Sequence, residues 1–334
     1  MDVIFTDAGW ADVGIIEPYD GDFAWGADEN DFSVDLSSDA VPPRKGLLYA
    51  EGSDIGGMVR GYSSEASSGV FTVVGDTWTG VIDRKVLRPP SGSAYYTYSG
   101  DVRDGVADLV GRLGLGYLFT VKAGRVGIKV SHTYQGSTSS EQQDAGRYMG
   151  GWAAMWQLVS QHGCKVRFAW DPDARRVMLT VARSHDWTDE ESLAAGVSTV
   201  GVSQSYPTNH LVCLGQGEGT ARTVIDLYAD AKGNVSTRQT YAGADEIADV
   251  YDDSGAQDSD KLKADGTKKL KELWADSQSV SVKAASSATA FDLGDLMGGT
   301  DVRSGVTAKA IVTKKVAKFN QGALTYEYTS TVRS

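Results

Sequence analysis

The chain has 334 residues, 44 acidic against 32 basic side chains for a formal net charge of −12, and 41% hydrophobic residues. That length suggests about two domains and can bury roughly three quarters of the surface an unfolded chain exposes. The composition excludes a disordered chain, no apolar run reaches the roughly 18 residues of a spanning helix, and the acid excess opposes a nucleic-acid reader, which needs clustered Lys and Arg.

Asp2 and Asp7 stand where a secretory signal would carry lysine or arginine, so export by that route is not expected and a reducing compartment is. Residues 70 to 87 read as two short strands broken at Gly75-Asp76. Residues 88 to 99, opening Arg88-Pro89-Pro90, read as a linker. Val102, Val106, Leu109, Val110 and Leu113 fall at helical spacing over 101 to 113, with Asp101 as N-cap. Strands are expected at 117 to 121 and 125 to 130, then a Ser- and Gln-rich linker over 133 to 146. Tyr148, Trp152, Met155, Trp156 and Val159 predict a second helix over 148 to 161, its aromatic stripe read as core.

Residues 165 to 182 give the cleanest hairpin signal, because Val166, Phe168 and Trp170 alternate before the turn at Asp171 and Val177, Leu179 and Val181 alternate after it. One face of it must be buried. Strands follow at 210 to 215 and 222 to 229, the latter before a turn at Lys232-Gly233-Asn234. A third linker covers 252 to 259. The third helix, 259 to 274, sets Leu262, Leu270, Leu273 and Trp274 beside Lys261, Lys263, Lys268, Lys269 and Lys271, a run read as a solvated face. The closing strands, 306 to 318 and 323 to 332, turn at Asn320-Gln321-Gly322.

No catalytic, cofactor or metal residue is assigned, and no cofactor is expected. His132, His162, His185 and His210 lack a second ligand at i+3 or i+4. His185-Asp186 reads as a surface turn rather than an oriented imidazole, since no nucleophile elbow lies near it. Gly215, Gly217 and Gly219 follow a strand but do not open a helix, which defeats a dinucleotide reading. Asp252, Asp253 and Asp258 lack the glycine and closing glutamate of a calcium loop. The pairs Asp28-Glu29 and Asp171 with Asp173 read as turn residues, as do Asp292, Gly294 and Asp295. Cys164 and Cys213 read as buried small hydrophobes rather than a disulfide.

Several blocks, in order along nearly the whole chain, resemble the tail hub proteins of siphophages, the baseplate-hub-like minor tail proteins of prophages. They are Asp22 to Gly26 and Asp28 to Phe32, Gly46 to Tyr49 with Glu51-Gly52 and Gly56-Gly57, Gly75 to Gly80 running to Leu87 to Pro90, Asn209 to Gly217 with Arg222 to Val224 and Leu227 to Asp230, and Phe291 to Asp295. Each block is short and glycine-rich, and Gly75 and Gly80 are taken to bracket a β turn. The resemblance implies an α+β, mainly β fold with two β-barrel-like tube domains and smaller α+β insertions. It places an N-terminal tube domain at 1–90, an insertion at 91–195, and a second tube domain at 196–334 with a helix near 259–274, contributing strands back to the first.

It also implies a non-enzymatic structural protein that closes the end of the tail tube. The implied partners are other copies in a homotrimer, the distal tail protein, the tape measure protein and tail-tip or fibre proteins, with DNA passing through an acidic lumen. The implied location is the virion tail tip, after assembly in the bacterial cytoplasm. The chain ends after its last strand, which leaves no room for an appended peptidase, lysozyme or sugar-binding domain. Two other readings stay open: a carbohydrate- or receptor-binding module, given 15 tyrosines and 8 tryptophans, and more distantly a hydrolase using His185 and Asp186.

Overall fold

The computed structural model describes residues 1–36, 40–65, 70–136, 146–188, 198–256, 258–284, 291–300, 303–305 and 307–332. In chain order these form β1 (Val3–Thr6), β2 (Asp12–Ile16), β3 (Pro18–Gly26), β4 (Asp31–Leu36), β5 (Leu47–Tyr49), β6 (Gly56–Glu65), β7 (Val70–Thr77), α1 (Trp78–Asp83), β8 (Val86–Leu87), β9 (Tyr96–Asp101), α2 (Val102–Arg112) and β10 (Phe119–Val121). There follow β11 (Lys129–Tyr134), β12 (Met149–Gly150), α3 (Gly151–Gln161), β13 (Cys164–Asp171), β14 (Arg176–Arg183), β15 (Ser198–Gln204), β16 (His210–Leu214), β17 (Val224–Ala229), β18 (Val235–Ser236) and β19 (Ala248–Asp252). The chain closes with α4 (Ser259–Ser277), β20 (Gln278–Ala284), β21 (Leu296–Thr300), β22 (Thr307–Asn320) and β23 (Ala323–Val332). The fold is α+β and mainly β.

The chain divides into two compact units. The larger comprises 1–199, 282–299 and 307–334, and the smaller 200–281 and 300–306. These limits differ from the segments expected from sequence. Strands β1 to β7 and the helices and hairpin of the expected insertion share one hydrophobic core, running from Val3 and Phe23 to Leu158 and Leu179. The last two strands belong to the same unit as the first seven, because burial of their apolar faces, not proximity in sequence, decides where they pair.

The larger unit is built on a ten-stranded sheet, curled as a half-barrel, in the order β2-β1-β5-β6-β7-β4-β3-β22, with β21 and β23 also paired to β22. Strand β4 alternates strictly, so Phe32, Val34 and Leu36 face the core. Phe32 stacks on Phe23 of β3 at 4.8 Å, and Phe23 meets Phe319 of β22 edge-on at 6.3 Å. Strand β22 pairs antiparallel with β3 from Lys314 opposite Gly26 to Asn320 opposite Asp20. Its hairpin with β23 turns at Gln321 and Gly322, both at positive φ, as a two-residue turn requires.

The expected break at Gly75-Asp76 is absent. Strand β7 runs through both residues, and the next segment is the buried helix α1 rather than a strand. A Cβ on Gly75 would lie 2.2 Å from the Met58 carbonyl and 2.4 Å from the Phe32 ring. This glycine is therefore required by close packing inside a sheet, and Gly75 and Gly80 bracket no turn.

Helix α2 is capped by Asp101, whose carboxylate accepts from Arg103 N at 3.0 Å. Helix α3 begins at Gly151, three residues later than expected, and leaves Tyr148 exposed. Its Trp152, Met155 and Val159 are buried, and the Trp152 indole donates to the Gly26 carbonyl at 2.7 Å. The expected hairpin is present as β13 and β14, with Val166, Phe168, Trp170, Val177 and Leu179 buried. Strands β10 and β11 do not pair with each other: β10 lies parallel to β14, and β11 antiparallel to β9.

In the smaller unit a four-stranded sheet, β18-β17-β16-β19, packs one face against α4. Leu211, Cys213, Leu227 and Ala229 of the sheet meet Leu262 and Leu270 of the helix. The five lysines of α4 are exposed. Asp258 caps the helix by accepting from Lys261 N at 2.6 Å. Strands β15 and β20 pair with each other in a separate two-stranded sheet.

Candidate functional site

The most heavily bonded polar group of the larger unit is Asp295, which is fully buried. It closes the turn Phe291 to Asp295, where Asp295 N donates to the Asp292 carbonyl and Asp292 N to the Asp295 carboxylate. The same carboxylate accepts from Lys165 Nζ of β13 at 2.7 and 2.9 Å, from His185 N at 2.8 Å and from the Trp187 indole at 3.4 Å. Lys165 also reaches Asp292 at 2.8 Å, and Arg167 lies 3.4 Å from Asp292. Lys315 of β22 completes the group, 3.1 Å from Asp54 and 3.8 Å from Asp292, with its ammonium over the Tyr326 and Trp25 rings.

Burial pushes the Asp292 carboxyl up, but the Lys165 bond and the charges of Lys165, Lys315 and Arg167 outweigh it and hold it below the ordinary carboxylate range. Tyr326 is pushed up to about 12, first by burial and then by Asp54 and Asp292, so it remains a neutral ring beneath Lys315. Three carboxylates thus meet three cations, with Lys165 and Lys315 buried and Arg167 exposed at the margin. Such a cluster fixes geometry: it ties β13 and the turn before β21 to β22, where Gly294 N donates to the Val312 carbonyl and Val312 N to the Asp295 carbonyl, each at 2.9 Å. The sequence reading placed Asp292 and Asp295 in a turn, as they are, and missed Lys165, whose partner stands 130 residues away.

The second feature is the sheet edge. Among the described residues β23, ten residues long, pairs with no strand but β22 and so stands at an edge of the sheet. Its side chains alternate, with Leu324, Tyr326, Tyr328 and Ser330 half-buried and Thr325, Glu327, Thr329 and Thr331 exposed. Glu327 is its only charge, and it contains no lysine or proline to discourage pairing with another chain.

The remaining sequence candidates are dispersed. His132 Nδ1 lies 3.3 Å from His162 Nε2, and His132 Nε2 lies 3.3 Å from Gln157. The Asp186 carboxylate is bonded to Thr188 and Lys309, while His185 packs on the Trp187 ring. His210 sits between Glu246 at 2.6 Å and Asp226 at 2.9 Å. Asp252 pairs with Arg222, and Glu29 and Asp28 with Lys314. Asp171 accepts from Asp173 N and Ala174 N in the hairpin turn. Gly217 and Gly219 lead through a short 3₁₀ turn into β17. Cys164 and Cys213 are free thiols. Among the described residues no group of three His, Cys, Asp or Glu side chains is placed to hold a metal ion, and no helix is long and apolar enough to cross a membrane.

No family model matches the chain, and no curated protein matches it. Among solved structures, it is similar to prophage tail protein gp18 of Listeria monocytogenes at 10% identity, covering 99% of this chain and 94% of that one with a TM-score of 0.46. It is similar to the 43 kDa tail protein of prophage MuSo2 from Shewanella oneidensis at 12% identity, covering 99% and 98% with a TM-score of 0.44. A component of the p2 virion baseplate in its activated conformation matches at 9% identity, covering 98% of each chain with a TM-score of 0.49. These structural neighbours are prophage tail proteins and a baseplate component.

Proposed function

We propose that this chain is a structural phage tail protein of the hub type, which assembles with copies of itself at the end of the tail tube. The edge position of β23 carries this reading. A long, regular strand with a single charge at the edge of a sheet is a liability in a monomer and an interface in an assembly, because the backbone of a neighbouring strand can pair with it. The ordered sequence blocks that resemble tail hubs point the same way, and several lie in strands of the same sheet: Phe23 in β3, Phe32 in β4 and Gly75 in β7.

In this reading the protein is non-enzymatic and forms a homotrimer that joins the distal tail and tape measure proteins to tail-tip or fibre proteins. The net charge of −12 suits a lumen through which DNA slides with little adhesion. The test places glutamate at Thr325 and Thr329, exposed positions that stand opposite Lys318 and Lys314 of β22, so the pairing within the chain is kept while the edge becomes charged. The double variant should fold with unchanged circular dichroism yet fail to form rings with its tube-end partners in electron micrographs. Rings indistinguishable from wild type would overturn the assignment of this edge.

A further inference from the structure

The smaller unit carries a recess of about 370 Å³ with three aromatic side chains in its wall: Tyr206, Tyr241 and Trp274, beside Pro207, Asn209 and Lys232. Tyr206 is 58% exposed, an unusual cost for a large ring in a unit whose own core is small. Tyr241 and Trp274 are half-buried. Trp274 packs against the core of the unit as well as lining the recess, while Tyr206 and Tyr241 line the recess and are not part of that core.

The backbone around Trp274 and Asn209 is fixed by hydrogen bonds. The Asp230 carboxylate accepts from Lys232 N, Asn234 N and Asn234 Nδ2 at 2.8 to 2.9 Å, which holds the turn from Asp230 to Asn234. The Trp274 indole lies against that turn, so close that a Cβ on Gly233 would sit 2.8 Å from its Cδ1 and Nε1. Ser277 donates to the Trp274 carbonyl at 2.7 Å. Asn209 is buried and its amide clasps the opposite wall, donating to the Asp245 carbonyl at 2.7 Å and accepting from Ile247 N at 2.9 Å. Tyr206 is restrained by the following proline.

A pre-organised recess with aromatic walls and a few polar groups is the ordinary form of a small-ligand site. The polar groups here select the class. The Lys232 ammonium is an exposed donor and the Tyr206 and Tyr241 hydroxyls can donate and accept, and a ligand that needs both together with an apolar face is a sugar ring, whose hydroxyls donate and accept while its C–H face lies on an aromatic ring. A nucleotide fits poorly, because among the described residues Lys232 is the only cation in the lining and the chain carries −12. We infer that the recess bounded by Tyr206, Tyr241 and Trp274 is a saccharide-binding site. It is independent of the assembly reading, since no residue of β23 takes part.

The test uses the full-length protein and saturation-transfer NMR with chitotriose, maltotriose and cellotriose, followed by titration of whichever binds. At least one should receive saturation at its ring protons, and Tyr206→Ala and Tyr241→Ala should each weaken binding by ten-fold or more while the melting temperature is retained. Trp274→Phe, which keeps a ring against the turn, should weaken it less than either. No transfer to any of the three sugars, or binding that survives Tyr206→Ala and Tyr241→Ala unchanged, overturns the inference, as does a proline-rich peptide or an oligonucleotide binding these residues in place of the sugars. Ring assembly is read separately, so failure here leaves the tail reading intact.

Discussion

The Lys165 ammonium lies 2.7 and 2.9 Å from the two carboxylate oxygens of Asp295, across 130 residues of chain and with the carboxylate fully buried. The pair binds the β13–β14 hairpin to the turn that leads into the closing strands. Lys165→Met leaves the buried Asp295 carboxylate without its cation, which costs about 3 to 5 kcal/mol. Asp295→Ala leaves Lys165 its bond to Asp292 at 2.8 Å and should cost less, although it also removes an acceptor from His185 N, Asp292 N and the Trp187 indole. Urea unfolding of both variants measures the order, and a larger loss for Asp295→Ala than for Lys165→Met would refute it.

Asp292 gives the cluster a pH dependence. Its carboxyl is held below the ordinary range in the fold, so its contribution is complete above the unfolded value of about 4 and is lost as pH falls through the folded value. Wild-type stability should therefore decline below about pH 4. Asp292→Asn should be less stable at pH 7 and show a shallower acid limb in denaturation followed from pH 7 to pH 2.

His132 acts in a higher window with the same sign. Burial pushes its imidazole down, the Gln157 bond partly offsets this, and His162 lowers it further. Below the unfolded value of about 6.5 the unfolded chain takes up a proton that the folded site resists, so stability falls as pH drops from about 6.5 toward the folded value. Replacing His132 by Gln should flatten the profile between pH 7 and pH 5, as read by melting temperature against pH.

Truncation after Leu296 should abolish folding of the larger unit. It removes β22, whose Ala310, Val312, Ala317 and Phe319 are almost wholly buried, and with it the partner of β3. A soluble truncated chain with a sharp melting transition and native-like near-ultraviolet dichroism would show that the first seven strands hold without it.

Gly266 of α4 lies over Cys213, where a Cβ would stand 2.4 Å from the sulfur. Gly266→Val forces the helix off β16 and should destabilise the smaller unit by about 1 to 3 kcal/mol. The Cys213 thiol, pushed up to about 11 by burial and then by Asp226, reports the change. In the wild type it should be inert to a thiol reagent at pH 8, and in the variant it should react at low urea, before Cys164.

Elements whose signal is local were legible in the sequence. The β13–β14 hairpin, the β22–β23 pair with its Gln321-Gly322 turn, and α2 with its Asp101 cap follow from spacing and turn chemistry. Gly75 was misread because a glycine in a turn and a glycine squeezed between Met58 and Phe32 look alike in one dimension. Lys165 escaped for a similar reason: an isolated lysine in a strand reads as solvent-facing unless its carboxylates are known. The recess of the smaller unit draws Tyr206, Lys232, Tyr241 and Trp274 from four separate segments, and no spacing rule links them.

Alternation, periodicity and composition within a few residues are enough to specify a mainly β chain with acidic excess, its strongest hairpins and its helical faces. That the last strands close the sheet begun by the first, that Asp295 is a buried ion-pair partner as well as a turn residue, and that β23 stands at the edge of its sheet came from packing alone. Those facts rest on pairings across a hundred residues or more. They are chosen by which apolar faces must be covered and which buried charges must be met, and both are properties of the packed chain.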